Sequence, residues 1–293
     1  MYAAPFDYFR AGSLDEAHQL LQKHPGAKLL AGGHSLIPLL KMRLTSASAL
    51  VDIGRIKELK GITSKDGTIR IGALTTHAEV ASSDVLKTSC PMLAEAASQI
   101  GDPQVRNCGT VGGNVAHADP ASDLPTVFTA LEARFTAAGP KGTRTIPAAD
   151  FFHGMMTTAL DEREILTGVE FAACKSGDGT AYEKFTHPAS RYAVVGAAAV
   201  VSVKGGVCSA ARVAAGGLLP AATRLPSVEA ALAGAKASAE TAAKAADLVG
   251  KHLGGDVLED VYASADYRRA MAIVFVKRAL ARAFARAEGA RGA

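Results

Sequence analysis

Two glycine pairs are the residues of this chain whose types and spacing could do chemistry. The first lies in Lys28-Leu29-Leu30-Ala31-Gly32-Gly33-His34-Ser35-Leu36, where an apolar run breaks into Gly-Gly. Glycine tolerates positive φ, so the backbone there can aim several N–H groups at one point. Such a nest holds phosphate oxygens without a basic side chain. The second lies in Gly109-Thr110-Val111-Gly112-Gly113-Asn114, with Thr110 and Asn114 as side-chain donors. One such loop reads as a tight turn. Two of them, each beside strand-like sequence, suggest a diphosphate gripped from both sides.

Other chemistries fail on spacing. No G-x-G-x-x-G follows a strand, which leaves a Rossmann dinucleotide site unsupported. The GxxxxGK of a P-loop and the HExxH of a zinc peptidase are absent. Gly33-His34-Ser35 is no nucleophile elbow, because Ile37 stands where the second glycine is needed. His117, Asp119 and Asp123 could be drawn as metal ligands, but two prolines and no helical face argue against it. A carboxylate just past a phosphate loop suits ribose hydroxyls, adenine or a turn cap. On these residues alone the chain binds a dinucleotide between two lobes, and not in Rossmann fashion.

The positioning elements alternate. Ser13 and Glu16 have capping-box spacing ahead of a helix to about 24, flanked by strands over 28–31 and 50–53. A strand over 68–73 precedes a helix capped by Thr75 or Thr76 and running towards 86. Pro91 opens another helix to about 100. Strands follow near 131–137, 143–146 and 165–171. The small polar run 172–179 marks a boundary. Beyond it come strands over 182–185, 194–203 and 209–215, then helices over 228–232, 239–252 and 266–287.

Composition sets the frame. With 293 residues, 48% apolar and 20% charged, the chain is globular and long enough for one large or two modest domains. Aromatics are only 5%, with no Trp, so close-approaching backbones are expected rather than an aromatic substrate cage. The net charge of +4 sits at the end: residues 277–293 hold five basic residues against Glu288, and the remaining 276 balance at 27 against 27. A neutral body of this kind argues against nucleic-acid binding. Arg278, Arg282 and Arg286 recur every four residues as a basic stripe, read as a solvated face or a contact for an acidic partner. The longest apolar stretch, 193–203, is about half of the ~20 residues that a membrane helix needs. Asp7 and Arg10 stand where a signal peptide would be apolar, so no transmembrane segment and a cytoplasmic location are expected. The four cysteines form no CxxC and read as reduced, mostly buried thiols.

Ala31-Gly-Gly-His-Ser-Leu-Ile-Pro38, Thr110-Val-Gly-Gly-Asn114 and Asp119-Pro-Ala-Ser-Asp-Leu-Pro125 resemble the FAD-binding medium subunit of molybdenum hydroxylases, the xanthine dehydrogenase family. The likeness spans nearly the whole chain. It is nearest the aerobic carbon monoxide dehydrogenase branch, through residues 36–44 and 102–106; residues 185–191 lack that branch's basic run. The resemblance implies an α+β, two-lobed, non-Rossmann FAD-binding fold of the PCMH (vanillyl-alcohol-oxidase) type, over 1–176. Its small β-α-β lobe would be about 1–55 and its larger lobe about 56–176. A smaller α+β C-terminal domain with an antiparallel sheet and helices would cover 177–287, and a tail 288–293.

The same resemblance implies site roles. The backbones of Lys28, Leu29, Leu30, Ala31, Gly32, Gly33, His34, Ser35 and Leu36, and of Thr110, Val111, Gly112, Gly113 and Asn114, would hold the pyrophosphate of non-covalent FAD. Asp123 would take the ribose or adenine end, Leu166 the adenine side, and Ile100 a place close to the cofactor. Lys184 would contact FAD and Tyr192 would lie at the isoalloxazine. No side chain is expected to be catalytic and none to bind metal. The chain lacks the clustered cysteines of [2Fe–2S] loops, so those clusters and molybdopterin belong on a small and a large partner subunit. The expected assembly is a heterotrimer pairing into a dimer of heterotrimers, passing electrons to a quinone or NAD, in the cytoplasm or through the complex at the inner face of its membrane. Two rivals are a self-sufficient FAD-dependent oxidase or dehydrogenase of the same fold and a non-catalytic scaffold.

Overall fold

The computed structural model describes residues 2–289. β1 (Asp7–Arg10), α1 (Leu14–Lys23), β2 (Lys28–Leu30), α2 (Leu36–Lys41) and β3 (Ala49–Asp52) form a small lobe. Its sheet has the order β1-β3-β2 and is wholly parallel. Ser13 caps α1 by accepting from the Glu16 N–H at 3.2 Å. Glu16 turns back to the Gly12 N–H rather than to Ser13, so only half of the expected capping box forms. Ala17 and Leu21 on the inner face of α1 join Val51 and Ile53 in a core that Leu74 and Ile165 of the following part complete.

The second part holds β4 (Ile62–Lys65), β5 (Thr68–Gly72), α3 (His77–Ser82), α4 (Asp84–Ser89), α5 (Pro91–Ser98), α6 (Pro103–Cys108), α7 (Val111–His117) and α8 (Asp123–Ala130). It continues with β6 (Arg134–Gly139), β7 (Gly142–Pro147), a small hairpin of β8 (Phe152–Gly154) and β9 (Thr157–Thr158), and β10 (Ile165–Ala172). The main sheet is antiparallel, in the order β4-β5-β10-β6-β7. The helix expected from Thr76 towards Leu86 is two helices. α3 does carry the complete Thr76/Glu79 capping box, but Ser83 is extended and caps α4 through Leu86 N–H. Residues 111–114, read from sequence as part of a loop, open helix α7, and Asp123, expected to lie on no helical face, opens α8. Asp123-Leu-Pro lies in the first turn of α8, where proline is tolerated because its missing N–H would be unpaired there anyway.

The third part is a four-stranded antiparallel sheet of β11 (Asp178–Thr186), β12 (Ala193–Lys204), β13 (Val207–Gly216) and β14 (Thr223–Arg224). α9 (Pro226–Leu232), α10 (Ala239–Ala246) and α11 (Ala265–Gly289) complete it. The helix expected to reach residue 252 ends at Ala246, and a 3₁₀ turn follows over Val249–His252. β12 is buried continuously from Ala193 to Val201. Ala198 and Val200 join the core of the second part, whereas Val195, Ala197, Ala199 and Val201 share a core with α11. A strand covered on both faces reads as an unbroken apolar run, and alanine lets α8 and α11 approach closely.

The α+β content and the C-terminal antiparallel sheet agree with the expected fold. The basic stripe does not stay free. Arg282 pairs with Glu95 and Glu183, each at 3.1 Å. Arg286 also pairs with Glu95 and donates to Thr180 O at 2.7 Å. These contacts fasten α11 to α5 and β11, so the two arginines, though still partly exposed, also serve the fold of the chain itself. α11 runs on through 288 and 289; the rest of the expected tail, with Arg291, lies outside the described residues.

Candidate diphosphate-binding cleft

Where the three parts meet, a cleft of about 390 Å³ opens, a size common for small-molecule sites. Its first wall is the turn after β2. Gly33 adopts φ +73° and its carbonyl accepts from Ile37 N–H, which starts α2. Among the described residues, the N–H groups of Gly32, Gly33, His34, Ser35 and Leu36 have no acceptor. Five consecutive uncommitted donors, in a turn that runs into the start of α2, make this a ready anion nest.

Gly32 joins this turn to the second motif. A Cβ there would stand inside the Cys108 carbonyl and 2.9 Å from the Gly109 Cα. The second motif is the start of α7. Thr110 is its N-cap and accepts from Gly113 N–H at 3.1 Å. Val111 N–H donates to Thr75 O, and Gly112 N–H to Ala73 O. These donors are spent on seating the helix, so the run of free N–H groups belongs to the first motif. Asn114 donates through Nδ2 to the Ser122 hydroxyl at 3.2 Å, while its Oδ1 is buried without a partner.

Deeper in lies a buried charged group. Asp123, 4% exposed, accepts from the Tyr182 hydroxyl at 2.6 Å and from Lys184 Nζ at 2.9 Å. Lys184 also donates to Gln99 O at 3.4 Å. Burial pushes the Asp123 carboxyl up from its ordinary value; the Lys184 charge and the two donated hydrogen bonds pull it back. Burial, together with the Asp123 charge, holds the Tyr182 hydroxyl well above its usual range. Asp123 faces the cleft, and Lys184 stands behind it.

The rim comes from the third part. His187 N–H donates to Tyr192 O and Arg191 N–H to His187 O, both at 2.9 Å, closing a turn with Arg191 at φ +61°. Tyr192 is 41% exposed on this turn. Its hydroxyl is pushed up by partial burial and by the Asp119 charge, against a hydrogen bond with Ser35 from the opposite wall.

Of the residues expected from sequence, the cleft brings together Leu29, Ala31 to Leu36, Ile100, Thr110, Gly112 to Asn114, Asp123, Leu166 and Tyr192. It does not bring in Lys28, whose side chain is exposed, or Leu30, which packs beneath Gly33. Val111 points into the core, and the Lys184 side chain is fully buried. His77 was missed. It is 3% exposed on the cleft wall against Gly109, and its Nδ1 has no partner. Burial, followed by the His34 charge, drops its pKa to about 4, so the ring is neutral at pH 7. Its position directly after the Thr76 cap was visible in sequence, but its place under Gly109 was not. Among the described residues no group of three or more His, Cys, Asp or Glu could hold a metal ion, and no helix is long and apolar enough to cross a membrane.

Comparison with known proteins is consistent along the chain. A family model described as "FAD binding domain in molybdopterin dehydrogenase" matches residues 4–172. A second, "CO dehydrogenase flavoprotein C-terminal domain", matches residues 180–283. The carbon monoxide dehydrogenase medium chain of Hydrogenophaga pseudoflava is 42% identical over 282 residues, covering 96% of this chain and 98% of the relative. The glyceraldehyde dehydrogenase medium chain of Sulfolobus acidocaldarius is 36% identical over 261 residues, covering 89% and 87%. A solved carbon monoxide dehydrogenase from H. pseudoflava superposes with a TM-score of 0.93, covering 98% of this chain and 99% of that one.

Proposed function

This chain belongs to the family of FAD-binding medium subunits of molybdenum hydroxylases, and from that premise we propose that its cleft carries non-covalent FAD for electron transfer within such a complex. The single observation that carries the assignment is the run of five uncommitted N–H groups from Gly32 to Leu36, facing a wall with an orphaned acceptor at Asn114 Oδ1. FAD fits such a surface: its diphosphate offers acceptors to the nest, and its hydroxyls offer donors to Asn114. Gly32 to Leu36 would hold the diphosphate, with Thr110 and Asn114 opposite. Leu166 and Ile100 would give apolar walls, and Tyr192 would close the rim. Asp123 would meet ribose or adenine with its charge held in place by Tyr182 and Lys184.

The proposed role is electron transfer from a [2Fe–2S] partner subunit to an external acceptor, a quinone or NAD, with the redox chemistry supplied by the bound flavin. The residues of this chain bind, orient and exclude water; none acts as a general acid or base. Molybdopterin and the iron–sulfur clusters belong to a large and a small partner, in a cytoplasmic dimer of heterotrimers. Relatives named for carbon monoxide and for glyceraldehyde match this subunit over most of its length, so the partner that holds molybdenum would choose the substrate. That division of labour disfavours a self-sufficient oxidase, and two intact glycine motifs disfavour a scaffold.

The test is an absorption spectrum of the purified chain, followed by heating and identification of the released compound. Flavin bands with FAD in the supernatant support the reading. Protein that stays colourless after incubation with excess FAD, alone and with its partner subunits, overturns it.

A further inference from the structure

Cys90 and Cys174 are far apart in sequence, but their thiols meet. Cys90 ends α4 and precedes α5, and it is fully buried. Cys174 lies in the connector between β10 and β11 and is partly exposed. The Cys174 N–H donates to Ser89 O at 2.8 Å, which presses the connector against the α4–α5 junction. There the two thiols hydrogen-bond to each other, and neither is in a disulfide. Cys174 packs against the core cluster that contains Cys90.

The two sulfurs are not equivalent. The hydrogen bond from Cys90 favours the Cys174 thiolate, helped by the Thr180 hydroxyl and the Arg212 charge and opposed by burial and Asp178; its pKa is lowered. That same hydrogen bond, burial and the Glu95 charge hold Cys90 protonated. A partly exposed cysteine with thiolate character thus stands in front of a protonated one that is fully buried. This is the relation between an attacking and a resolving thiol.

We propose that Cys174 and Cys90 form a peroxide-responsive pair that closes to a disulfide between the β10–β11 connector and the α4–α5 junction. The Cys174 sulfur attacks one oxygen of hydrogen peroxide, and the O–O bond breaks. Cys174 becomes a sulfenic acid, and the other oxygen leaves as water with the thiol proton. The Cys90 sulfur then attacks the Cys174 sulfur; the S–S bond forms and the S–O bond breaks. The hydroxyl leaves as a second water with the Cys90 proton. Two thiols lose two electrons in all, and one peroxide becomes two waters. The bond would tie two stretches that lead to the cleft: α5 runs into Gln99 and Ile100, and β11 carries Tyr182 and Lys184.

The test uses the full chain, reduced, freed of reductant and treated with equimolar hydrogen peroxide. Intact mass and a non-reducing peptide map are then recorded. The expected result is the loss of two hydrogen atoms, one cross-linked peptide pair containing Cys90 and Cys174, and reversal by dithiothreitol. Cys90→Ser should instead leave a sulfenic acid at Cys174 that dimedone traps. Oxygen added at Cys174 of the wild-type chain without a cross-link overturns the proposal. So does a cross-link to Cys108 or Cys208, or no change at Cys174. The wild-type map decides the matter even if the variant fails to fold.

Discussion

Lys184 on β11 donates to Asp123 at the start of α8 across 2.9 Å, with side chains 0% and 5% exposed. The pair couples the C-terminal sheet to the floor of the cleft. Removing one partner of a buried pair strands the other's charge, at a cost of about 3–5 kcal/mol. Lys184→Met should therefore destabilise the chain by about that amount in urea unfolding, and Asp123→Leu in the same background should recover most of the loss. Equal stability of Lys184→Met and wild type would show that the ion pair does not bear on the fold.

Gly32 leaves no room for a side chain where the two motifs touch. Gly32→Ala must push the β2–α2 turn away from Cys108 and Gly109, an overpacking strain of about 1–3 kcal/mol. If that strain falls on the bound state, FAD affinity drops roughly 10- to 100-fold. Fluorescence titration with FAD checks this, with circular dichroism to establish that the fold is kept.

His77 should put a slope into the stability curve in mild acid. Its folded pKa of about 4 lies below the ordinary 6.5, so the unfolded chain binds the extra proton between those values. Stability conferred by the neutral ring is complete above pH 6.5 and is lost as pH falls towards 4, by about 3 kcal/mol in all. His77→Gln should flatten this part of the curve. Parallel wild-type and variant profiles from pH 7 to 4 would contradict the burial argument.

Glu95 holds two arginines of α11 on the surface of α5. All three side chains are partly exposed, so each pair contributes about 0.5–1 kcal/mol. Glu95→Arg sets three positive charges together and should cost about 1–2 kcal/mol, of which adding Arg282→Glu should return a measurable part. A double-mutant cycle by thermal unfolding reads the coupling.

The cleft was legible in sequence to the extent that backbone chemistry makes it. Paired glycines announce a turn that needs positive φ and a close approach, and Gly33 and Gly32 meet those two needs. Asp123 and Tyr192 were legible through family resemblance alone, because nothing local tells a cleft carboxylate from a turn cap. The donor role expected around Gly112 and Gly113 did not allow for where those N–H groups go: Gly113 donates to the Thr110 cap of α7, and Gly112 to Ala73 O. His77 and the thiol pair escaped notice because tertiary contact creates them. The arginine stripe was correctly periodic and is partly exposed, but its ion pairs with Glu95 were not legible, since Glu95 lies on a helix nearly two hundred residues earlier.

The cleft draws its walls from three widely separated stretches: the turn after β2, the α7–α8 region and the turn holding Tyr192. During synthesis the first wall leaves the ribosome long before the rim that faces it. A growing chain therefore has no complete flavin site until β12 has emerged to anchor the Tyr192 turn. On the proposed reading, FAD loading therefore waits for the third part of the chain, and a fragment truncated ahead of residue 193 should be unable to retain the flavin.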